Sequence, residues 1–302
     1  MENNPEINNL HLPDEIEVEL EQAESRFKSM WYVLKANKAA MVGLVIITLL
    51  LFIAFFGKLL MPYNPYVGDL SKSLQAPSAA HLLGMDEQGR DILSRIIDGT
   101  KVSLRVGIIA VAFALSIGTF FGSIAAYYSG KVDMIIMRFM DILLAIPSLL
   151  LAIAFMTALG RGIDKAIIAI GFVTIPEYAR IVRASILSVK ESEFVQAAKV
   201  IGNRDSVIIF KHILPNVLSP IIVRATLGIS SAILDTAALG FLGLGVQPPY
   251  AEWGSMLGSG RGYFFNAPYI VLFPGIAITI TVLAFNLLGD GLRDALDPKL
   301  RK

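Results

Sequence analysis

The sequence predicts an all-α integral membrane protein, a bundle of about six transmembrane helices. Three observations carry that expectation. The composition is 55% hydrophobic and 17% charged, against roughly 45–50% and about 25% in soluble domains. Lipid as well as a protein core must therefore receive apolar side chains. The run Ala39 to Gly57 has the length of one span and no charge inside it. Further apolar runs recur along the remaining chain. Burying all of them as core helices of a soluble protein of 302 residues is the poorer account, and in lipid only a helix satisfies its backbone within one segment.

Residues 1–38 are polar, acidic first (Glu15, Glu17, Glu19, Glu21, Glu24), then basic (Arg26, Lys28, Lys35, Lys38). A secretory signal would place a short basic stretch before a short apolar core, so this longer acidic segment reads as a retained tail. The first span, 39–57, is followed by Lys58 and Pro62. The second, Val106 to Tyr128, contains Gly118-Thr119-Phe120-Phe121-Gly122. That small-xxx-small pattern permits close helix packing in lipid, a dimer seam being one reading, although it also arises by chance in glycine-rich spans.

The third span, about Met134 to Ala158, carries Arg138, Asp141 and Pro147. Arg138 and Asp141 are three residues apart on one helical face, which predicts a structural charge pair. The fourth starts at Ala166 and stays apolar to Ile175; Pro176, Glu177, Arg180 and Arg183 then make its inner half interfacial or protein-facing. The fifth runs from about Val217 to Val246 with Arg224 and Asp235 inside, and the sixth from Pro268 to Leu288. Asp235 is too costly to leave unpaired against lipid, so it should face protein or a water-filled path.

Lysine and arginine are denser in the tail, in the segment around Lys190 to Lys211 and after Arg293 than in most intervening flanks. The bias predicts both termini on the cytoplasmic side. The expected organisation is a cytoplasmic N-terminal tail (1–38), a first transmembrane helix with an outer segment (39–105), and a core transmembrane domain (106–302) that includes an inner loop at 190–216. In the outer segment, Gly84 and Gly89 read as turn formers, and Arg90, Asp91 and Arg95 as a solvated charged cluster. Tyr250, Trp253, Tyr263, Phe264 and Phe265 read as an interfacial aromatic belt or a contact surface.

Several chemistries are excluded. Net charge is +1, so there is no basic surplus of the kind that attracts nucleic acid. Cysteine is absent, which removes disulfides and thiolate sites. His11, His81 and His212 are too far apart to read as a metal motif. No phosphate-cradling G-x-x-x-x-G-K-[ST] occurs, so the chain has no nucleotide site of that kind. Neither G-x-S-x-G nor H-E-x-x-H occurs, and no nucleophile or metal cluster is readable at membrane depth, which sets aside an intramembrane enzyme. Catalytic and metal residues are therefore expected to be none.

The inner loop is the most informative segment. Glu193 to Asp205 followed by Ser206 to Pro215 reads as two short helices. Gly202 suits the left-handed residue after the first, Asp205 can cap the second, and Pro215 limits or kinks it. Ala197 and Ala198 leave a flat patch, and Phe194, Val195, Ile201 and Phe210 offer apolar contact. So much apolar surface must be covered, by the bundle or by a docked partner.

Gln196-Ala197-Ala198, three residues, Gly202, nine residues, then His212-Ile213-Leu214-Pro215 resembles the EAA loop of bacterial ABC importer permeases. Gln196 stands where the family usually has Glu, and His212 where many members have an apolar residue. Leu83 to Arg95, Phe241 to Pro249, Glu252-Trp253-Gly254, Phe285 to Asp294 and Leu296-Asp297-Pro298 are similar to motifs of the dipeptide/oligopeptide/nickel branch, C-type subunit.

The resemblance implies a type I importer permease in the bacterial cytoplasmic membrane, forming half of an ATP-driven pathway for dipeptides or oligopeptides. It also implies a sister permease, two ATPase subunits that bind the ATP and Mg this chain does not, and an extracytoplasmic binding protein. Gln196, Ala197, Ala198, Gly202, His212, Leu214 and Pro215 would form the ATPase-docking loop, and Asp235 becomes a candidate pathway residue. Relatives that import nickel chelates or other small solutes leave the cargo open. A secondary transporter would show paired broken helices in two repeats, and no convincing repeat is readable.

Overall fold

The computed structural model describes residues 28–296. The acidic tail (Glu15 to Glu24), Arg26, and Asp297, Pro298, Lys299, Arg301 and Lys302 lie outside the described residues. The described chain is helical apart from connecting segments and a single isolated bridge, Met85 to Asp91.

Helix α1 spans Lys38–Leu60. Asn37 starts it, its side-chain oxygen accepting the Ala40 N–H at 3.1 Å. Helix α2 spans Ile92–Tyr128 and has 37 residues, a rod of about 55 Å. It begins well before the expected Val106 for two reasons. Asp91 caps it, accepting the Ser94 N–H at 2.8 Å. Ser94, Arg95, Thr100 and Ser103 are buried against protein, so the polar first turns need no solvent.

The third apolar run is not one straight span. Helix α3 (Gly130–Leu144) and helix α4 (Ser148–Leu159) meet at a bend of 89°. Pro147 has no N–H to continue the ladder and disfavours α geometry in the residue before it. Helix α5 spans Ile163–Val189 unbroken through Pro176, and the half beyond Ile175, expected to be interfacial or protein-facing, continues the same helix. Burial of Ile175, Tyr178, Ala179 and Val182 holds the second half helical despite its charges.

Helix α6 (Glu193–Val200) is followed by a helical passage, 205–217, whose hydrogen bonding changes from α to π over Ile208–Ile213 and to 3-10 over Leu214–Val217. Pro215, lacking a donor, lies where the pattern tightens. Helix α7 (Leu218–Phe241) stops short of the expected Val246, and Gly243 turns the chain at φ +73°. Helix α8 (Trp253–Gly260) and helix α9 (Tyr269–Leu296) complete the described chain.

Among the described residues, four helical stretches are long and apolar enough to cross a membrane: Lys38–Leu60, Ile92–Tyr128, Asp205–Phe241 and Tyr269–Leu296. The bent α3–α4 pair counts as one more if it is a single span. The remaining expected span is α5, where Asp164, Lys165, Glu177, Arg180 and Arg183 dilute the apolar run.

Helix α2 packs along α5 at the small residues. A Cβ on Gly118 would lie 2.5 Å from the Tyr178 Cβ, and one on Gly122 2.5 Å from the Ala179 carbonyl oxygen. The small-xxx-small pattern is thus a seam within this chain. Ala110, Ala114, Ile170, Val173, Met140 and Met156 extend the same core into α3 and α4, while α1 lies against α9 and α2. Connectivity puts residues 190–217 at one end of the bundle and residues 61–91 and 242–268 at the other.

Candidate functional site

The loop at 190–217 is anchored by one face and open on another. Val195, Ala198, Ile208, Ile213 and Val217 are buried with Ala126, Val182, Ile186 and Ile221. Phe194, Val200, Ile201 and Phe210 are exposed, Val200 by 88% and Ile201 by 79%. Ala197 is exposed but Ala198 is not, so the flat patch expected from the alanine pair is Ala197 alone. Successive residues of a helix are rotated by about 100°, which points the two side chains to different faces. Val195 likewise belongs to the core and not to the open surface.

Gly202 has φ +84°. Its N–H donates to the Lys199 carbonyl at 3.0 Å and the Asn203 N–H to the Ala198 carbonyl at 3.2 Å. This paired arrangement is the Schellman ending of a helix, which requires a left-handed residue. Gln196 Nε2 donates to Glu191 Oε2 at 2.9 Å. His212 and Leu214 are half-buried and Pro215 is exposed; the His212 carbonyl accepts from Asn216 at 2.7 Å.

Asp205 does not cap the helical passage it begins. Its carboxylate accepts the Tyr127 hydroxyl at 2.8 Å and the Tyr128 hydroxyl at 3.0 Å, because the end of α2 stands beside it. Lys190 reaches the same helix end, donating to the Ala126 carbonyl at 3.1 Å and Ser129 Oγ at 2.8 Å. A cation there also complements the helix dipole. The start and the middle of the loop are therefore tied to the end of α2.

The expected pair of Arg138 and Asp141 does not form. Asp141 instead accepts Arg180 of α5 at 2.9 Å. About two turns earlier on α3, Asp133 takes Arg183 of α5 through both carboxylate oxygens, at 2.5 and 2.6 Å. Packing of α3 on α5 turns both aspartates toward α5, and Arg138 is left exposed. A further pair joins Arg224 of α7 to Glu177 of α5, with the Arg224 guanidinium 5.9 Å from the Tyr178 ring centre. Charges at Glu177, Arg180, Arg183 and Arg224 were visible in the sequence; their partners were not, since each lies on another helix. Asp235 is half-buried and makes no hydrogen bond or ion pair among the described residues.

At the opposite end, residues 86–95 are not a solvated cluster. Arg90, Asp91 and Arg95 are 6%, 2% and 4% exposed. Asp86 organises them: it accepts Arg90 Nε at 2.7 Å and the backbone N–H groups of Gln88 and Arg90 at 2.9 Å, and lies 3.4 Å from Arg95 Nε. Gly84 and Gly89 do turn the chain at positive φ. Asp91 also binds His81 Nδ1 at 3.0 Å and Ser94 Oγ at 2.7 Å. Of the aromatic residues in the second far-end segment, Trp253 is core, donating to the Ile96 carbonyl at 3.1 Å, whereas Phe265 is 94% exposed.

Glu252 starts α8 and is 1% exposed. It accepts the N–H groups of Gly254 and Ser255, both at 2.8 Å. Burial pushes its carboxyl up to about 7, outweighing these hydrogen bonds, which favour the charged form. No group of three or more His, Asp or Glu side chains among the described residues is placed to hold a metal ion.

Residues 118–302 match the family described as binding-protein-dependent transport system inner membrane component, and residues 25–77 match the N-terminal TM domain of oligopeptide transport permease C. The chain is 51% identical over 279 residues to the dipeptide transport system permease protein DppC of Alkalihalophilus pseudofirmus, covering 92% of each. It is 46% identical to the di/tripeptide transport system permease protein DppC of Pseudomonas aeruginosa, over 92% of this chain and 93% of that one. It is also 46% identical to the glutathione transport system permease protein GsiD of Pectobacterium atrosepticum, over 89% of each. Among solved structures, an inward-facing MetNI methionine ABC transporter aligns with a TM-score of 0.58 at 18% identity, over 68% of this chain and 98% of that one; this likeness concerns the fold.

Proposed function

Because the chain belongs to the binding-protein-dependent transport system inner membrane component family, and is thus a multi-pass permease and not itself an enzyme, we propose that it forms half of the pathway of an ATP-driven importer of dipeptides or oligopeptides. A sister permease supplies the other half. Two ATPase subunits bind ATP and Mg, and an extracytoplasmic binding protein delivers cargo. The membrane is the bacterial cytoplasmic membrane, with both termini and the 190–217 loop on the cytoplasmic side.

The observation that carries this reading is the two-faced loop. Val195, Ala198, Ile208 and Ile213 fasten it to the bundle, while Val200, Ile201 and Phe210 stay uncovered beside Ala197. An apolar surface presented on a firmly seated helix is the form of a helix-in-groove contact. Gln196, Ala197, Gly202, His212, Leu214 and Pro215 border that surface, and Ala198 supports it from beneath. Gln196 already hydrogen-bonds Glu191, so it needs no charge of its own to be held. Asp235, unpartnered among the described residues, faces the pathway or the sister subunit. The peptide names of the relatives favour peptide cargo.

The test is reconstitution of the chain with its sister permease, ATPases and binding protein in proteoliposomes. Vanadate-sensitive accumulation of a labelled dipeptide is expected. Accumulation driven by an ion gradient without ATP would assign the chain to secondary transport instead.

A further inference from the structure

Helix α1 is the most apolar and the least buried of the candidate spans. Phe55 and Leu59 on its outward side are 81% and 83% exposed, the condition of side chains that meet hydrocarbon. At the end away from the 190–217 loop, α1 comes close to α2: a Cβ on Gly57 would lie 3.0 Å from Ile97 Cγ2. Beside that contact the two helices leave a recess of about 250 Å³. Its lining joins apolar Ala54, Phe55 and Ile97 to charged Lys58, Asp98 and Lys101.

Lys58 stands in the last turn of α1, where the apolar span gives way to the polar segment 61–91. A recess at that height lies in the headgroup layer of a bilayer. Both lysines are exposed, and neither makes a hydrogen bond or ion pair among the described residues. Asp98 is one turn before Lys101 on α2, yet its carboxylate is taken by the Tyr66 hydroxyl, which donates to Oδ2 at 2.6 Å. The lining therefore carries a single positive charge in excess, presented by two ammonium groups from different helices.

We propose that this recess holds the headgroup of an anionic glycerophospholipid, its phosphodiester between Lys58 and Lys101 and its acyl chains along the exposed apolar side of α1. Ammonium groups bind phosphate as compact point charges, and basic pockets between membrane helices select anionic lipids. The single negative charge of a phosphodiester matches the single excess charge of the lining. The apolar lining and the hydrocarbon-facing side of α1 favour a phosphate that carries chains over a free one. Bound there, the lipid bridges α1 and α2 beside their contact at Gly57. An acidic side chain of the sister permease is the competing occupant; it would satisfy the lysines and leave the exposed side of α1 uncovered.

The test uses the full chain co-purified with its sister permease in detergent. Native mass spectrometry counts bound lipid as phosphatidylglycerol or phosphatidylcholine is titrated in. One phosphatidylglycerol should bind at least ~10-fold more tightly than phosphatidylcholine. Lys58→Gln with Lys101→Gln should erase that preference, and Lys58→Arg with Lys101→Arg should keep it. Lys101→Gln alone should weaken phosphatidylglycerol about fivefold, which decides the matter if the double glutamine variant fails to assemble. Lys35→Gln with Lys38→Gln, at the other end of α1, should leave the preference intact, and millimolar inorganic phosphate should not displace the lipid. Equal binding of the two lipids overturns the proposal, as does a preference that survives the Lys58 and Lys101 glutamine variants. An equal loss in the Lys35 and Lys38 variant overturns it too, because general surface charge then explains the binding. Displacement by phosphate would assign the lysines to a soluble anion. Loss of the sister permease from the double glutamine variant, with lipid binding retained, would make the recess a contact between subunits; either result rejects the lipid site.

Discussion

Asp205, at the start of the helical passage into α7, accepts the hydroxyl of Tyr127 from the last turn of α2 at 2.8 Å. With Tyr128 on its second oxygen at 3.0 Å, it clasps the 190–217 loop to a rod that runs the length of the bundle. Tyr127→Phe with Tyr128→Phe removes both donors and leaves the exposed carboxylate hydrated. The hydrogen bonds are to a charged group but at the surface, so the expected loss is about 1 kcal/mol. Hydrogen–deuterium exchange of residues 193–217 should accelerate in the double variant, with the far end unchanged. Unchanged exchange across the loop would show that Lys190 and the buried aliphatic residues hold it alone.

Gly202 at φ +84° cannot be replaced by a β-branched residue without strain. Nothing lies within 4 Å of a Cβ there, so the penalty is conformational and not steric crowding. Gly202→Val should distort the Schellman turn and weaken co-purification of the ATPases, while Gly202→Ala should do so less. Membrane insertion should survive in both, as judged by the folded fraction in detergent. Full ATPase retention by the valine variant would remove this turn from the docking surface.

The two aspartates on α3 should differ. The Asp133–Arg183 pair is bidentate, with side chains 19% and 32% exposed; the Asp141–Arg180 pair has a single contact and exposures of 48% and 56%. Surface pairs contribute roughly 0–1 kcal/mol, and breaking a more enclosed one costs more. Asp133→Asn should therefore lower the apparent Tm in detergent clearly, and Asp141→Asn little. Arg138→Gln should have almost no effect. A larger drop for Asp141→Asn would reverse the ranking.

Glu252 should make stability depend on pH. Its carboxyl sits at 4.5 when exposed and is pushed up to about 7 in the fold. The folded chain thus binds the proton more tightly than the unfolded one. The stabilising contribution is complete below pH 4.5, declines as pH rises through 7, and is flat above. The span corresponds to on the order of 3 kcal/mol. Apparent Tm should fall between pH 5 and pH 7.5, and Glu252→Gln, which cannot ionise, should flatten that fall. An identical slope in the variant would assign the pH dependence to another group.

Asp235 makes no polar contact among the described residues and lies amid buried Ala232, Ile233, Thr236 and Ala237. Asp235→Asn keeps its shape and removes its charge. If it faces the pathway, uptake of a peptide with a free amino terminus should fall more than uptake of the N-acetylated form, provided the binding protein delivers both. Equal loss for both peptides would place the residue against the sister permease.

The apolar runs by themselves determined that this chain is a helical membrane protein, because hydrocarbon leaves an isolated segment no other way to satisfy its backbone. Gly202 was legible for a similarly local reason: a glycine after an amphipathic stretch marks a left-handed turn wherever the helix packs. What the sequence could not decide was every relation between helices. Arg138 stood near Asp141 in sequence, yet Asp141 found Arg180. The alanine pair looked like one surface, yet Ala198 faces the core. The Asp86–Arg95 stretch read as solvated, yet α7 and α8 close over it and leave a recess. A charge records its own sign but not the partner that neutralises it, and burial depends on which face of another helix arrives, so these features existed only once the helices had packed.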